Sequence, residues 1–137
     1  MNDNLGKMLI KIKNASLVKH EVILVPYTSN DFLILKALQE EGFINSIKIV
    51  SKKNSTSKNL EKYIKVNLKY KGSLRKPFIT NITRMSKPSL PLYVNSKNIP
   101  LILNGLGVII MSTPKGIMTS KDAYKFGIGG ELLFSIW

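Results

Sequence analysis

The chain has 137 residues, with 21 Lys and Arg against 8 Asp and Glu, a formal net charge of +13, and 44% hydrophobic side chains. That hydrophobic share excludes a disordered protein, and the length suits one compact domain or two small ones. A charge excess of this size opposes compaction by self-repulsion, so it points to a polyanionic partner: RNA, DNA or an anionic membrane surface.

Leu5, Met8, Leu9 and Ile12 recur at helical spacing, the apolar stripe of an opening helix that Asp3 can cap. Lys7 and Lys11 stack on another face of it, either as a solvated surface or beside a nucleic-acid backbone groove. Residues 21–26 read as a short strand. Thr28 with Asp31 predicts a capped helix through Phe32, Leu35, Ala37 and Leu38, stopped at Gly42. Residues 43–50 and 62–70 read as strands. The second alternates Ile64, Val66, Leu68 and Tyr70 with Lys65, Asn67 and Lys69. The polar stretch 51–59 joins them as a flexible loop. Between Lys48 and Lys87 fall twelve basic residues and one acid, Glu61, more one-sided than solubility demands.

Lys71, Gly72 and Ser73 read as a join between halves. Beyond them come strands around 78–84 and 90–94, then a short helix from Asn95 or Ser96 with Pro100 in its first turn and Gly105 at its end. A strand at 107–111, a polar loop, a short helix opened by Ser120 and a last strand at 131–137 complete the chain. The expected class is α+β, as two small packed α+β domains: 1–72, helices with a three-stranded sheet, and 73–137, mainly β with short helices. No apolar run approaches the ~20 residues that span a bilayer. The N-terminus has neither a charged start followed by an apolar stretch nor an Arg/Ser-rich leader, so the chain is expected to work where it is made or to be made inside an organelle.

Enzyme chemistry fails on inventory. The acids are scattered, His20 is the one histidine, and there is no cysteine for a nucleophile, a disulfide or a thiolate metal site. Lys115-Gly116 echoes a phosphate loop, but the Gly-rich pattern ending in Gly-Lys-Ser/Thr is missing. No cofactor, metal or small-molecule substrate is expected. What the last quarter does offer is Ser112, Thr113 and Thr119 hydroxyls, the Lys115 cation, the freedom of Gly116, and a second glycine cluster at Gly127, Gly129 and Gly130 that lets the main chain come close to a partner. Such a segment is ordinarily a solvated turn; short donors and a cation are also what grips a sugar-phosphate backbone.

The order of motifs decides between these. Residues 112–119 (STPKGIMT) followed by Gly127, Ile128, Gly129, Gly130 and Glu131 closely resemble the C-terminal signature of small-subunit ribosomal protein eight in its bacterial and organellar form. The opening DNLGKMLIKIKN, the Glu-Glu-Gly-Phe-Ile at 40–44, Ser86-Lys87-Pro88 with Tyr93, and Gly105-Leu106-Gly107 match that family in the same order. Pro114 departs from the family's second serine, removing a hydroxyl and an amide donor. Ser89 stands where glycine is usual and Phe134 where cysteine is frequent, the latter a packing change.

The resemblance implies a non-catalytic constituent of the small ribosomal subunit. It would bind the central domain of the 16S-type RNA early in assembly and lie beside neighbouring small-subunit proteins. Ser112, Thr113, Lys115, Gly116 and Thr119 would line the RNA-facing loop, and Gly129, Gly130 and Glu131 the adjoining edge. Lys87, Tyr93, Lys7 and Lys11 complete the expected RNA-binding set. Glu131 either meets a base or sugar or braces the loop, and Tyr93 either stacks on RNA or packs in the core. A second role as a messenger-RNA-binding translational repressor is the alternative. Lysine dominance, with only Arg75 and Arg84 as arginines, points to an AT-rich genome. The ribosome is therefore expected in a plastid (chloroplast) stroma in preference to a bacterial cytoplasm. The competing class, docking on an anionic membrane, needs bulky aromatics on an amphipathic helix, and the opening helix has none.

Overall fold

The computed structural model describes residues 3–53, 59–100 and 107–137, and they sort into two compact units: Lys7–Phe78, and residues 3–6 with Ile79–Trp137. The class is α+β, with three α-helices and antiparallel sheets among the described residues.

Helix α1 spans Asn4–Leu17. Asp3 opens it as expected, its carboxylate accepting from the Gly6 amide at 3.1 Å. The stripe of Met8, Leu9 and Ile12 is buried, and Lys7 and Lys11 are exposed. The helix runs past Asn14 and stops at Lys19, whose φ of 60 lets the His20 amide donate to the Ala15 carbonyl at 3.0 Å. A glycine is the usual residue for that backbone.

Strand β1 (Val22–Pro26) leads to α2 (Ser29–Glu40). Thr28 caps α2, accepting from the Asp31 amide at 3.1 Å, and Gly42 at φ 84 ends it while the Phe43 amide donates to the Leu38 carbonyl at 2.9 Å. Strands β2 (Ile44–Lys53) and β3 (Leu60–Leu68) complete an antiparallel sheet of order β1-β3-β2. The alternation read in β3 holds. Ile64, Val66 and Leu68 are buried, as are Ile23 and Val25 of β1 and Ile34, Leu35 and Leu38 of α2.

Two details differ from the sequence reading. β2 continues through the polar residues Ser51–Lys53, because the ladder with β3 extends them as a ribbon in which Lys52 faces Glu61. Residues 54–58 of the expected 51–59 loop lie outside the described residues. Tyr70 is not part of β3 but of a short hairpin, β4 (Tyr70–Lys71) with β5 (Lys76–Pro77), turning through Gly72 at φ 73 and Arg75 at φ 52.

In the second unit β6 (Ile82–Arg84), β10 (Gly130–Ile136), β8 (Val108–Thr113) and β9 (Gly116–Thr119) form one antiparallel sheet in that order, and β7 (Tyr93–Val94) also pairs with β10. Helix α3 covers Ser120–Phe126. Ile109, Met111, Ala123 and Leu132 form a buried cluster, flanked by Met85, Val94, Ile99 and Met118. The strands expected at 78–84 and 90–94 shrink to β6 and β7; in the second, Pro91 cannot donate to a ladder. The helix expected from Asn95 is observed as one 3-10 turn, Ser96–Asn98; residues 101–106, including its Gly105 stop, lie outside the described residues. Phe134 is fully buried. No described helix is long and apolar enough to cross a membrane.

Candidate nucleic-acid interface

The polar segment 112–119 is not a loop. Ser112 and Thr113 end β8, residues 116–119 are β9, and Thr113 pairs with Gly116 across a two-residue turn, Pro114-Lys115. Proline's fixed negative φ excludes the mirror-image turn that strand twist favours, and Gly116 at φ 114 absorbs the mismatch one residue later. The Thr113 hydroxyl stitches the turn, donating to the Gly116 carbonyl at 2.8 Å and accepting from the Lys115 amide at 3.2 Å. Lys115 is thereby held at an exposed tip, its ammonium 5.7 Å from the ring centre of Phe126 at the end of α3. Phe126 is 64% exposed.

Behind the tip, Glu131 of β10 pairs with Ser112 of β8 on one side and with Tyr93 of β7 on the other. Residues opposite each other in an antiparallel ladder share a face, so Tyr93, Glu131 and Ser112 stand in a row. Their neighbours Met111 and Leu132 point the other way, into the α3 cluster. Tyr93 is 69% exposed, which rules out its reading as a core aromatic.

Glu131 is tied into the fold. Its Oε2 accepts from the Ser86 hydroxyl at 2.7 Å, and that hydroxyl accepts in turn from the Leu92 amide at 2.7 Å. The Arg84 guanidinium donates through Nε to the Ser86 carbonyl at 2.7 Å and through Nη1 to Asp3. Ser86 is buried, and this network pins residues 84–92 onto β10. Lys87 projects, exposed, from the turn that follows, where its main chain bonds twice to Leu90.

The glycines serve the chain itself. A Cβ on Gly129 would overlap the Val94 carbonyl and the Asn95 backbone, and one on Gly130 would overlap the Ser112 carbonyl. The close approach that the sequence suggests toward a partner is, at Gly129 and Gly130, an approach to the protein's own backbone at Val94–Asn95 and Ser112–Thr113. Gly127 supplies the left-handed stop of α3 at φ 68. Thr119 is buried, its hydroxyl capping α3 by accepting from the Asp122 amide at 3.3 Å.

The structure thus brings Ser112, Thr113, Lys115, Gly116, Gly129, Gly130, Glu131 and Tyr93 to one corner of one sheet. Lys87 is carried beside them by the Ser86 network. Lys7 and Lys11 belong to α1, where the Lys11 ammonium donates to the Leu24 carbonyl. Ser86 and Phe126 were not singled out for roles by the sequence. Ser86 carried only a place in a matching tripeptide, and Phe126 only the oddity of an aromatic ahead of a glycine cluster. Among the described residues no group of three or more His, Cys, Asp or Glu side chains is placed to hold a metal. The corner can offer hydroxyls, a cation and flat rings to a partner.

A family model described as Ribosomal protein S8 matches residues 3–137. The chain is 67% identical over 137 residues to the "Small ribosomal subunit protein uS8c" of Bigelowiella natans, covering 100% of both chains. It is 44% identical to the protein of the same name from Thalassiosira pseudonana, over 100% of this chain and 99% of the relative. It is 40% identical to the "Small ribosomal subunit protein uS8" of Thermosynechococcus vestitus, over 100% and 98%.

Proposed function

Because this chain belongs to the ribosomal protein S8 family, structural proteins of the small ribosomal subunit and not enzymes, we propose that it binds the RNA of that subunit directly and organises a helix of its central domain during assembly. The C-terminal unit does the gripping. Lys115 and the turn around it meet phosphates, the Ser112 hydroxyl meets a ribose or phosphate oxygen, and Tyr93 lays its ring on a base or sugar. Glu131 acts from behind as the brace that fixes Tyr93 and Ser112 in register. Thr119 is a positioning residue, because its hydroxyl is spent on α3. Lys87, Lys7 and Lys11 add phosphate contacts and pull. Other small-subunit proteins are its neighbours, and the ribosome is that of a plastid, in keeping with the uS8c relatives.

The observation that carries this reading is the row of Tyr93, Glu131 and Ser112 behind an exposed Lys115, with Glu131 at its centre tied to Ser86. Preorganised contacts of that kind lose little entropy on binding. Chemical footprinting of small-subunit RNA with and without the protein tests it: a discrete protected patch in the central domain is expected. Equal affinity for an unrelated hairpin of similar length refutes it. Co-sedimentation with anionic liposomes at physiological salt, expected to be negligible, separates it from membrane docking.

A further inference from the structure

The outward face of the β1-β3-β2 sheet carries a charge arrangement that the fold does not balance. Lys48 of β2 lies directly opposite Lys65 of β3, and both are exposed. Like charges facing each other across an antiparallel ladder weaken the pairing. The third position on that rung is Leu24 of β1, whose carbonyl takes the Lys11 ammonium, so a further cation closes the row at the sheet edge. The rungs on either side, Pro26–Tyr63–Val50 and Val22–Asn67–Ser46, contain no carboxylate. Glu61, on the next rung, faces Lys52 and takes the Tyr63 hydroxyl at 2.8 Å. Among the described residues the ion pairs are Arg75–Glu21 and Arg84–Asp3, and neither lysine joins them.

We propose that this rung is a phosphate-binding site, a second place where the RNA backbone meets the protein, separate from the Lys115 turn. It rests on the RNA-binding reading given above. Adjacent strands lie ~4.8 Å apart, and each ammonium rides on a flexible four-carbon stem. Lys48 and Lys65 can therefore converge on one phosphodiester or divide between two neighbours, and either arrangement replaces their repulsion with attraction. The site reads charge rather than sequence. The one ring on this face is half-buried Tyr63, whose hydroxyl is already engaged by Glu61, so base stacking is not its business. The surrounding unit favours a polyanion throughout, with fifteen cations against five acids from Lys7 to Phe78.

The test is the salt dependence of binding of the full chain to a central-domain RNA fragment, alongside urea unfolding. Lys48→Gln with Lys65→Gln is expected to lower the slope of log K against log salt by about 1.5, the loss of two phosphate contacts at ~0.7–0.9 each. The same variant is expected to unfold at a higher urea midpoint, because the facing charges are gone. Lys48→Arg with Lys65→Arg, which keeps the charge, is expected to retain the parent slope. An unchanged slope in the glutamine variant overturns the site, including the case in which the face serves an acidic protein segment. A midpoint that stays put or falls overturns the repulsion premise. Lys115→Ala is measured in parallel. If the parent shows no preference for the fragment over an unrelated hairpin, the RNA-binding reading itself fails; if the parent and Lys115→Ala behave as proposed and the sheet variant does not, only this inference falls.

Discussion

The two units of this protein divide the means of holding a polyanion unevenly. Lys7–Phe78 has fifteen basic and five acidic side chains, net +10, while the rest of the chain has six and three, net +3. The first unit has long-range side-chain hydrogen bonds of its own, among them Asn67 to Ser46, Lys69 to the Gly42 carbonyl and Tyr70 to the His20 carbonyl, which join its elements to one another. In the second, the hydroxyls of Ser86, Thr113 and Thr119, the Glu131 carboxylate and the Arg84 guanidinium are all committed to internal hydrogen bonds that fix a small corner. Charge acts over a Debye length and is indifferent to geometry. Braced hydroxyls and rings act only at contact and depend on it entirely. On the proposed reading the first unit draws RNA in and the second sets the register.

The sharpest way to break that comparison is to push a side chain into the braced corner. Gly130→Val drives its side chain into the Ser112 carbonyl, where β8 and β10 meet. The expected loss is about 3 kcal/mol or more, the upper end of overpacking costs and a large part of an ordinary domain's stability. Gly72→Ala in the other unit has open space around it and pays only for its φ of 73, about 1 kcal/mol. Urea midpoints of the two variants should differ plainly, and equal midpoints would remove the claim that the second unit is the constrained one. Ser86→Ala comes next. It leaves the Leu92 amide and the Glu131 carboxylate without their partner, an expected cost of about 2 kcal/mol. Adding Glu131→Gln should cost less in that background than in the parent, since the two share one network. Strict additivity in the double-mutant cycle would mean the brace is decorative.

That corner is also where sequence and structure part. Helix α2 was legible because its signals are local: Thr28 and Asp31 lie three residues apart, and Gly42 sits where the helix must stop. The β3 core face was legible because alternation is local too. The hairpin at 108–119 was read as a strand and a loop, because Ser112, Thr113 and Thr119 look like turn residues until a partner strand supplies their ladder. Gly129 and Gly130 point in sequence to a close approach by a partner, whereas the backbone they meet is the protein's own. That backbone, at Val94 and Ser112, lies 35 and 18 residues away. Glu131 remained open between contact and brace because Ser86 is 45 residues distant in sequence. Residue types were readable throughout; non-local register was not.

Lys115→Ala sharpens the comparison from the binding side. The side chain is exposed and its one described contact is with the Phe126 ring at 5.7 Å, so the urea midpoint should hardly move. RNA affinity should fall by ~1–2 kcal/mol, the scale of a hydrogen bond to a charged group. Unfolding of this variant under mild conditions would show that the tip is structural after all.

The smallest effect belongs to the first unit and to pH. Asp31 is buried at the start of α2, and that burial raises its pKa above the ordinary 3.8, against a smaller downward pull from its hydrogen bond with Thr28. The folded chain therefore keeps this proton to higher pH than the unfolded chain does. Between the ordinary value and the raised one, the folded state binds more protons, so stability declines as pH rises through that window and stays lower above it. This runs opposite to the usual case of a carboxylate stabilised by a salt bridge. Asp31→Asn retains the backbone donor that Thr28 accepts and removes the titration. Its unfolding free energy, measured by urea titration across the acid range, should lack the parent's decline in that window. Parallel profiles for parent and variant would mean that burial at Asp31 carries no electrostatic cost, and that the first unit tolerates a buried charge as easily as it tolerates the lysines on its surface.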